Sequence, residues 1–328
     1  MLVTKCPLRI SLFGGGTDFR EWFTDQAGAT LSCTVDKYVY VTTRAPFHTD
    51  RKFKLAYSKI ESRDRLEDVR QPVIRAVLNY LKYDRPIEIH YDADVPGGTG
   101  LATSSAFVIA LLKSIYIRSG QPYDKKKLAT DAIRIERDLM GEKGGIQDQI
   151  ICSYGGFRHI LYNSKYKDGF CIKKFNFPKL SLSLLERNLM LLYLGSTRSS
   201  SRIEGQKITQ IRNRSEQYRR NYERVSTARD ILQNADQESI DEIGYLLHES
   251  WLDKSALATS VSNREIDAIY ERAINAGALG GKVLGAGGGG FMLLYCNPKK
   301  RKAVREALAG NAIIPFRFIP DGPSGRFI

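Results

Sequence analysis

No run of eighteen apolar residues occurs anywhere in this 328-residue chain, which excludes a membrane-spanning helix. The first segment, "MLVTKCPLRISLF", lacks the charged start, apolar block and cleavage site of a secretory leader, so a cytoplasmic location is expected. Cysteine is scarce. Cys6, Cys33, Cys152, Cys171 and Cys296 are odd in number and far apart, which argues against a disulfide framework or a thiolate metal site and for reduced thiols. His48, His90, His159 and His248 show no metal-ligand spacing. The chain has no Gly-Lys-Ser/Thr phosphate loop and no dinucleotide fingerprint with its ribose-binding acid. It lacks the zinc-finger and aromatic RNA-binding patterns, so a nucleic-acid partner ranks low. Internal repeats and low-complexity linkers are also missing.

What is present is ordinary globular material. At 42% hydrophobic and 26% charged, the chain has enough apolar sequence for a sizeable core. Its length suits two domains or one large one. The net charge of +14 fits nucleic acid, an anionic surface, or small anionic ligands such as nucleotides and sugar phosphates. The charge is densest over 198–224, where Arg and Lys alternate with Glu and Gln at helical spacing, as on a solvated helix face.

Period-two alternation predicts strands over 8–13, 29–35, 37–44, 52–58, 86–92 and 155–162. A helix is expected from Thr103–Ser105 to Gly120, and another from Asp124, its cap, to Gly141. Beyond residue 180 the pattern restarts. A strand at 189–195 precedes helices over 200–233, 236–258 and 263–276, then a strand at 289–296, a helix at 298–310 and a last strand at 314–319. Two α+β domains, 1–180 and 181–328, are the expectation.

Three glycine loops punctuate this order. "VPGGTGLATSSAF" opens the first long helix, whose free N–H groups and positive dipole end would suit phosphate. A plain turn with a Ser/Thr cap is the simpler alternative. "GGKVLGAGGGGFMLLY" places four consecutive glycines before a strand, a costly arrangement unless backbone passes close to something. "PLRISLFGGGTD" ends a strand-like segment in Thr17 and Asp18. The spacing favours Asp18 as a cap for a helix beginning "FREWF", with contact to ligand hydroxyls as the other reading.

Two carboxylates stand out. Glu136 lies on the apolar stripe of its helix with Ala129, Ala132, Ile133 and Met140, so it needs a partner: an arginine or a bound cation. Asp148, in "GGIQDQII", is flanked by isoleucines and reads either as a helix cap or as a functional acid.

Together the three loops resemble the galactokinase, homoserine kinase, mevalonate kinase and phosphomevalonate kinase (GHMP) superfamily in order and separation, over nearly the whole chain. The resemblance implies an α+β fold of two domains: an N-terminal mixed sheet with helices and a C-terminal ferredoxin-like layer. It implies that Pro96, Gly97, Gly98, Thr99, Gly100, Leu101, Ala102, Thr103, Ser104 and Ser105 form the ATP loop. Many members have Gly-Leu-Gly-Ser-Ser there, and Ala102 adds a methyl where backbone nears phosphate. Mg²⁺ would fall to Glu136 with Ser104 or Ser105, oxygen ligands of the kind it prefers. "GGIQDQ" is similar to the galactokinase-like stretch whose Asp serves as base, which implies that role for Asp148, with Arg9 as its basic partner. Gly15, Gly16, Thr17 and Asp18, with Gly287 and Gly288, would bind the sugar.

More narrowly, "PLRISLFGGGTD", "TVDKYVYV" and "YLGSTRSSS" resemble bacterial D-glycero-D-manno-heptose 7-phosphate kinases, which act on the anomeric hydroxyl on the route to nucleotide-activated heptose for surface polysaccharide. The implied protein is an ATP- and Mg²⁺-dependent sugar 1-kinase, binding ATP and a sugar or sugar phosphate without membrane or nucleic acid, with a homodimer left open. Arg198 and Arg202 beside the serine-rich turn are candidates for the sugar's phosphate, or else belong to the solvated helix. A fucose or galactose 1-kinase is the alternative acceptor reading, and a non-catalytic sugar sensor on the same fold the alternative class.

Overall fold

A computed structural model of the chain describes residues 1–46, 52–173, 177–195, 200–236 and 238–328. Strands β1 (Leu2–Phe13), β2 (Gly28–Arg44), β3 (Phe53–Ala56), β4 (Ile60–Arg63), β5 (Ile87–Ala93), β6 (Phe157–Tyr162) and β7 (Phe170–Lys173) build the first sheet. It is mixed: β3 runs parallel to β5, and its other pairs are antiparallel. The second sheet contains β8 (Leu189–Tyr193), β9 (Gly280–Val283), β10 (Phe291–Tyr295) and β11 (Ile313–Ile314) in the order β11-β8-β10-β9, antiparallel throughout. With helices between β8 and β9 and between β10 and β11, this is the expected ferredoxin-like layer.

The helices are α1 (Arg20–Phe23), α2 (Pro72–Tyr80), α3 (Thr103–Ser119), α4 (Lys125–Ile133), α5 (Gln147–Tyr154), α6 (Lys179–Asn188), α7 (Ser200–Thr209), α8 (Ser215–Asn234), α9 (Glu242–Ser255), α10 (Arg264–Asn275) and α11 (Arg301–Ala307). Helix α3 is apolar nearly all round because it lies in the interior, packed on β1, β2 and α5. Its C-terminus stops at Gly120, in the left-handed conformation that glycine adopts freely. One core runs through the first sheet and its helices into the second layer, and a smaller one fills the far side of the second sheet around Trp251, Ile269 and Val304.

Several expectations are corrected. The segments 29–35 and 37–44 form one strand, because the register slips between Pro7 and Leu8 and lets Asp36 and Lys37 bulge rather than end β2. The expected helix over 200–233 is two, α7 and α8, broken by a turn at Gln210–Arg214 that buries Ile211. The helix from Asp124 does begin on that cap, which accepts the Lys127 N–H at 2.6 Å, but it finishes as a π-helical turn over Arg134–Leu139. The last strand is not at 314–319, where Pro315 can donate nothing to a ladder. Instead the chain crosses back and β12 (Ser324–Phe327) pairs with β1 in the first sheet. The tail strand thus belongs to the first sheet, although the chain reaches it from the second.

The two layers meet where glycine loops touch. Gly100 has φ +87°, and a Cβ on it would sit 2.6 Å from the Leu284 carbonyl oxygen. Phe291 N–H donates to the Thr99 carbonyl at 3.0 Å, tying the same loops together. Gly100→Ala therefore combines left-handed strain with backbone overlap. It should lower unfolding stability by at least about 1–2 kcal/mol and depress activity. Gly97→Ala, with open space around its Cβ and no positive φ, should stay within about 0.5 kcal/mol of wild type in the same urea titration.

Candidate active site

A polar cleft opens where β1, the loop before α3, the starts of α5 and α7, and the loop after β9 converge. At its centre Arg9, projecting from β1, forms a bidentate ion pair with Asp148 in the first turn of α5: Nε donates to Oδ1 and Nη2 to Oδ2, both at 2.7 Å. Its third nitrogen, Nη1, donates to the Gly100 carbonyl at 2.6 Å. Arg9 is 3% exposed and Asp148 22%, so the carboxylate reaches the cleft while the guanidinium supports it from below. The N-cap of α5 is Ile146 with no side-chain bond, so the Asp148 carboxylate is held by Arg9 and does not cap the helix.

On the α3 side, Gly98, Gly100 and Ala102–Ser105 line the cleft. Ala102 has φ +66°, left-handed geometry that glycine adopts more readily than alanine. Pro96, Gly97, Thr99 and Leu101 do not face the cleft. The Thr99 hydroxyl donates to the Pro96 carbonyl, and the buried Leu101 accepts the Arg9 N–H, so Pro96, Thr99 and Leu101 shape the loop. The Thr103 hydroxyl oxygen is buried and has no hydrogen-bond partner, an orphan that a ligand oxygen at the head of α3 would satisfy.

Glu136 is 2% exposed. Ser104 donates to its Oε1 at 2.9 Å, Ser105 to its Oε2 at 2.7 Å, and the Gln149 amide to Oε2 at 2.5 Å. Among the described residues no arginine pairs with it. Glu136 sits on the π turn, a feature common at functional sites. A buried carboxylate ringed by two hydroxyls, beside a cleft and without a cation, is a donor set that suits Mg²⁺ together with phosphate oxygens.

Asp18 corrects an expectation: it does not cap α1, whose N-cap is Phe19 with no side-chain bond. Its carboxylate accepts the N–H of Gly16 at 2.8 Å and of Gln147 at 3.0 Å, joining the glycine turn to the start of α5. Burial pushes its pKa up to about 6, and the nearby Asp148 charge adds to this against those N–H groups. Gly15 and Gly16 line the cleft, whereas Thr17 braces the turn by donating to Gly14 and Ala29 carbonyls. Gly287 and Gly288 back onto Val261 instead, and their loop meets the cleft at Gly285 and Ala286. Arg202 is exposed on α7 and does not line the cleft; Arg198 lies outside the described residues.

Sequence reasoning missed three lysines that do line it: Lys207 on α7, Lys254 on α9 and Lys282 on β9. Lys282 was visible within "GGKVLGAGGGGF" as a charge in an otherwise apolar and glycine strand. Burial, then the charges of Arg9 and Lys207, push its pKa down to about 7. Lys207 and Lys254 lie on helices whose charge patterns carry no sign of inward-facing positions.

This arrangement combines a candidate base, an anion-ready helix start and an oxygen-ligand set for a divalent cation, the parts of a phosphoryl-transfer site. The family comparison agrees. Residues 69–156 match the GHMP kinases N terminal domain and 231–313 the GHMP kinases C terminal domain. The chain is 30% identical to a D-glycero-alpha-D-manno-heptose 7-phosphate kinase of Campylobacter jejuni, over 93% of this chain and 92% of that one. It therefore belongs to the GHMP kinase family, and is a sugar kinase within it. Among solved structures, a D-glycero-D-manno-heptose 1-phosphate kinase of Bacteroides thetaiotaomicron superposes with a TM-score of 0.81 at 24% identity, covering 100% of this chain and 99% of that one. A galactokinase of Lactococcus lactis complexed with galactose shares the fold at 0.75 and 16% identity, over 98% and 95% of the two chains.

The raised Asp18 pKa has a stability consequence with a definite sign. The folded state holds that proton more tightly than the unfolded chain. Its contribution is fully present below about pH 4 and is lost as pH rises through about 6. Wild type should lose about 2–3 kcal/mol relative to Asp18→Asn across that window. Urea midpoints measured at half-unit pH steps check this, and parallel curves for the two proteins would remove Asp18 as the source.

Proposed function

We propose that this protein transfers the γ-phosphoryl group of ATP, with Mg²⁺, to the anomeric O1 hydroxyl of D-glycero-D-manno-heptose 7-phosphate, giving the 1,7-bisphosphate on the route to nucleotide-activated heptose and surface polysaccharide. The observation that carries the reading is the convergence of Asp148, Arg9 and Asp18 on one wall of a cleft whose other wall is the Gly98–Ser105 loop with Glu136. The 30% identity to a heptose 7-phosphate kinase over nearly the full length of both chains supports the choice of acceptor. The five free thiols support a reducing, cytoplasmic setting.

In this reading Asp148 takes the proton from the acceptor hydroxyl. Each of its oxygens accepts one Arg9 hydrogen bond and keeps a second lone pair toward the cleft. Arg9 fixes the carboxylate in one orientation and, through Gly100, in register with the phosphate loop. Asp18 accepts from sugar hydroxyls and selects the ring's placement. The N–H groups at the head of α3, with the Thr103 hydroxyl, bind phosphate oxygens. Glu136, Ser104 and Ser105 would hold Mg²⁺, which when bound neutralises charge on the phosphates.

Asp148→Asn should cut kcat by roughly a hundredfold or more, the usual weight of a general base, with ATP affinity close to wild type. Glu136→Gln should instead raise the Mg²⁺ concentration needed for half-maximal rate. A normal kcat in the first variant would reduce Asp148 to an anchor for Arg9. A coupled ADP-release assay across heptose 7-phosphate, free heptose, fucose and galactose tests the acceptor. The phosphorylated heptose should have the highest kcat/KM. Higher kcat/KM with fucose or galactose would reassign the acceptor and leave the kinase.

A further inference from the structure

Three lysines from three separate elements meet in the cleft, and the chemistry described so far uses none of them. Lys207 and Lys282 are 4% and 5% exposed, and Lys254 is partly buried. The Lys282 ammonium donates to the Leu12 carbonyl at 2.9 Å, and Lys254 to the carbonyls of Val283 and Gly285 at 2.6 Å each. These oxygens orient the ammonium groups without neutralising them. Glu204, 3.2 Å from Lys207, is the one carboxylate bonded to any of the three among the described residues. Arg9 nearby is already matched by Asp148. Burying like charges together is costly, and an anion entering the cleft would offset that cost. Burial and mutual repulsion accordingly hold Lys254 well below the usual lysine range.

The position indicates which anion. Lys282 rests against Leu12 at the end of β1, just before the turn that carries Asp18, and Asn221 braces that turn through the Gly15 carbonyl at 2.7 Å. This is the acceptor's part of the cleft. We propose that Lys207, Lys254 and Lys282 seat the phosphate monoester carried by the acceptor itself, and so set the preference for a phosphorylated over a free sugar. The proposal rests on the heptose 7-phosphate reading above and moves the phosphate contact from the two arginines of the serine-rich turn to buried lysines. Compact ammonium groups suit a phosphate approached from several sides better than a planar fork would.

The test compares Lys282→Met and Lys207→Met with wild type, in the full chain and with folding checked by thermal melting. KM for heptose 7-phosphate should rise about ten- to hundredfold, the scale of a lost charged hydrogen bond. KM for free heptose and for ATP should stay within about threefold. An equal rise for both sugars, or a rise confined to ATP, overturns the proposal, the latter assigning the lysines to the nucleotide. Wild type that prefers a free sugar would refute the heptose reading separately. In that case inorganic phosphate is the probe. Competitive inhibition against the free sugar in wild type, lost in both variants, keeps the lysine site; equal inhibition in all three proteins removes it.

Discussion

One guanidinium holds the site together. Arg9 leaves β1 with its main-chain N–H bonded to Leu101, and its side chain spends all three nitrogens on the Asp148 carboxylate and the Gly100 carbonyl. A sheet strand, the start of α5 and the loop before α3 are thereby fixed to one planar group. Such a buried pair costs desolvation energy and adds little net stability on its own. What it provides is geometry, because the bidentate fork admits one orientation of the carboxylate.

The second constraint is steric. Gly100 packs so closely on Leu284 and Gly285 that a Cβ on either glycine would overlap backbone, and the N-terminal and C-terminal layers meet there backbone to backbone. The close approach brings Lys254 and Lys282, which belong to the second layer, into one cleft with Arg9 and Asp148 of the first. It also explains the glycine run: Gly287, Gly288, Gly289 and Gly290 all have positive φ, and Gly287 abuts Val261. The glycines let the loop turn and pack, while Gly285 and Ala286 present it to the cleft.

Charge in the cleft is divided by function. The acids Glu136 and Asp148 are held by hydroxyl, amide and guanidinium donors, so each is buried or half-buried without being left bare. Lys254 and Lys282 are held by carbonyls, which orient them without neutralising them, whereas Lys207 is paired with Glu204.

Much of this was legible along the chain. Alternation, glycine stops and the Asp124 cap located most strands and the two long N-terminal helices, because those signals act over a few residues and are set by backbone and side-chain sterics. Motif order singled out Asp148, Glu136, Arg9 and the glycine loop before α3, which the structure brings to one cleft. The short helices α2, α5 and α6 were not legible, since fewer than three turns carry too little periodicity to separate from a buried strand or loop. The break between α7 and α8 was hidden in continuous charge, and Asp18 read as a local cap because its partner, the Gln147 N–H, is 129 residues away. The sequence by itself determined the family, the glycine loops and the principal acids, all features written in local patterns. Tertiary structure alone decided which lysines face inward, that Glu136 meets serines rather than an arginine, and that the last strand returns to the first sheet, because each depends on contacts between residues far apart in the chain.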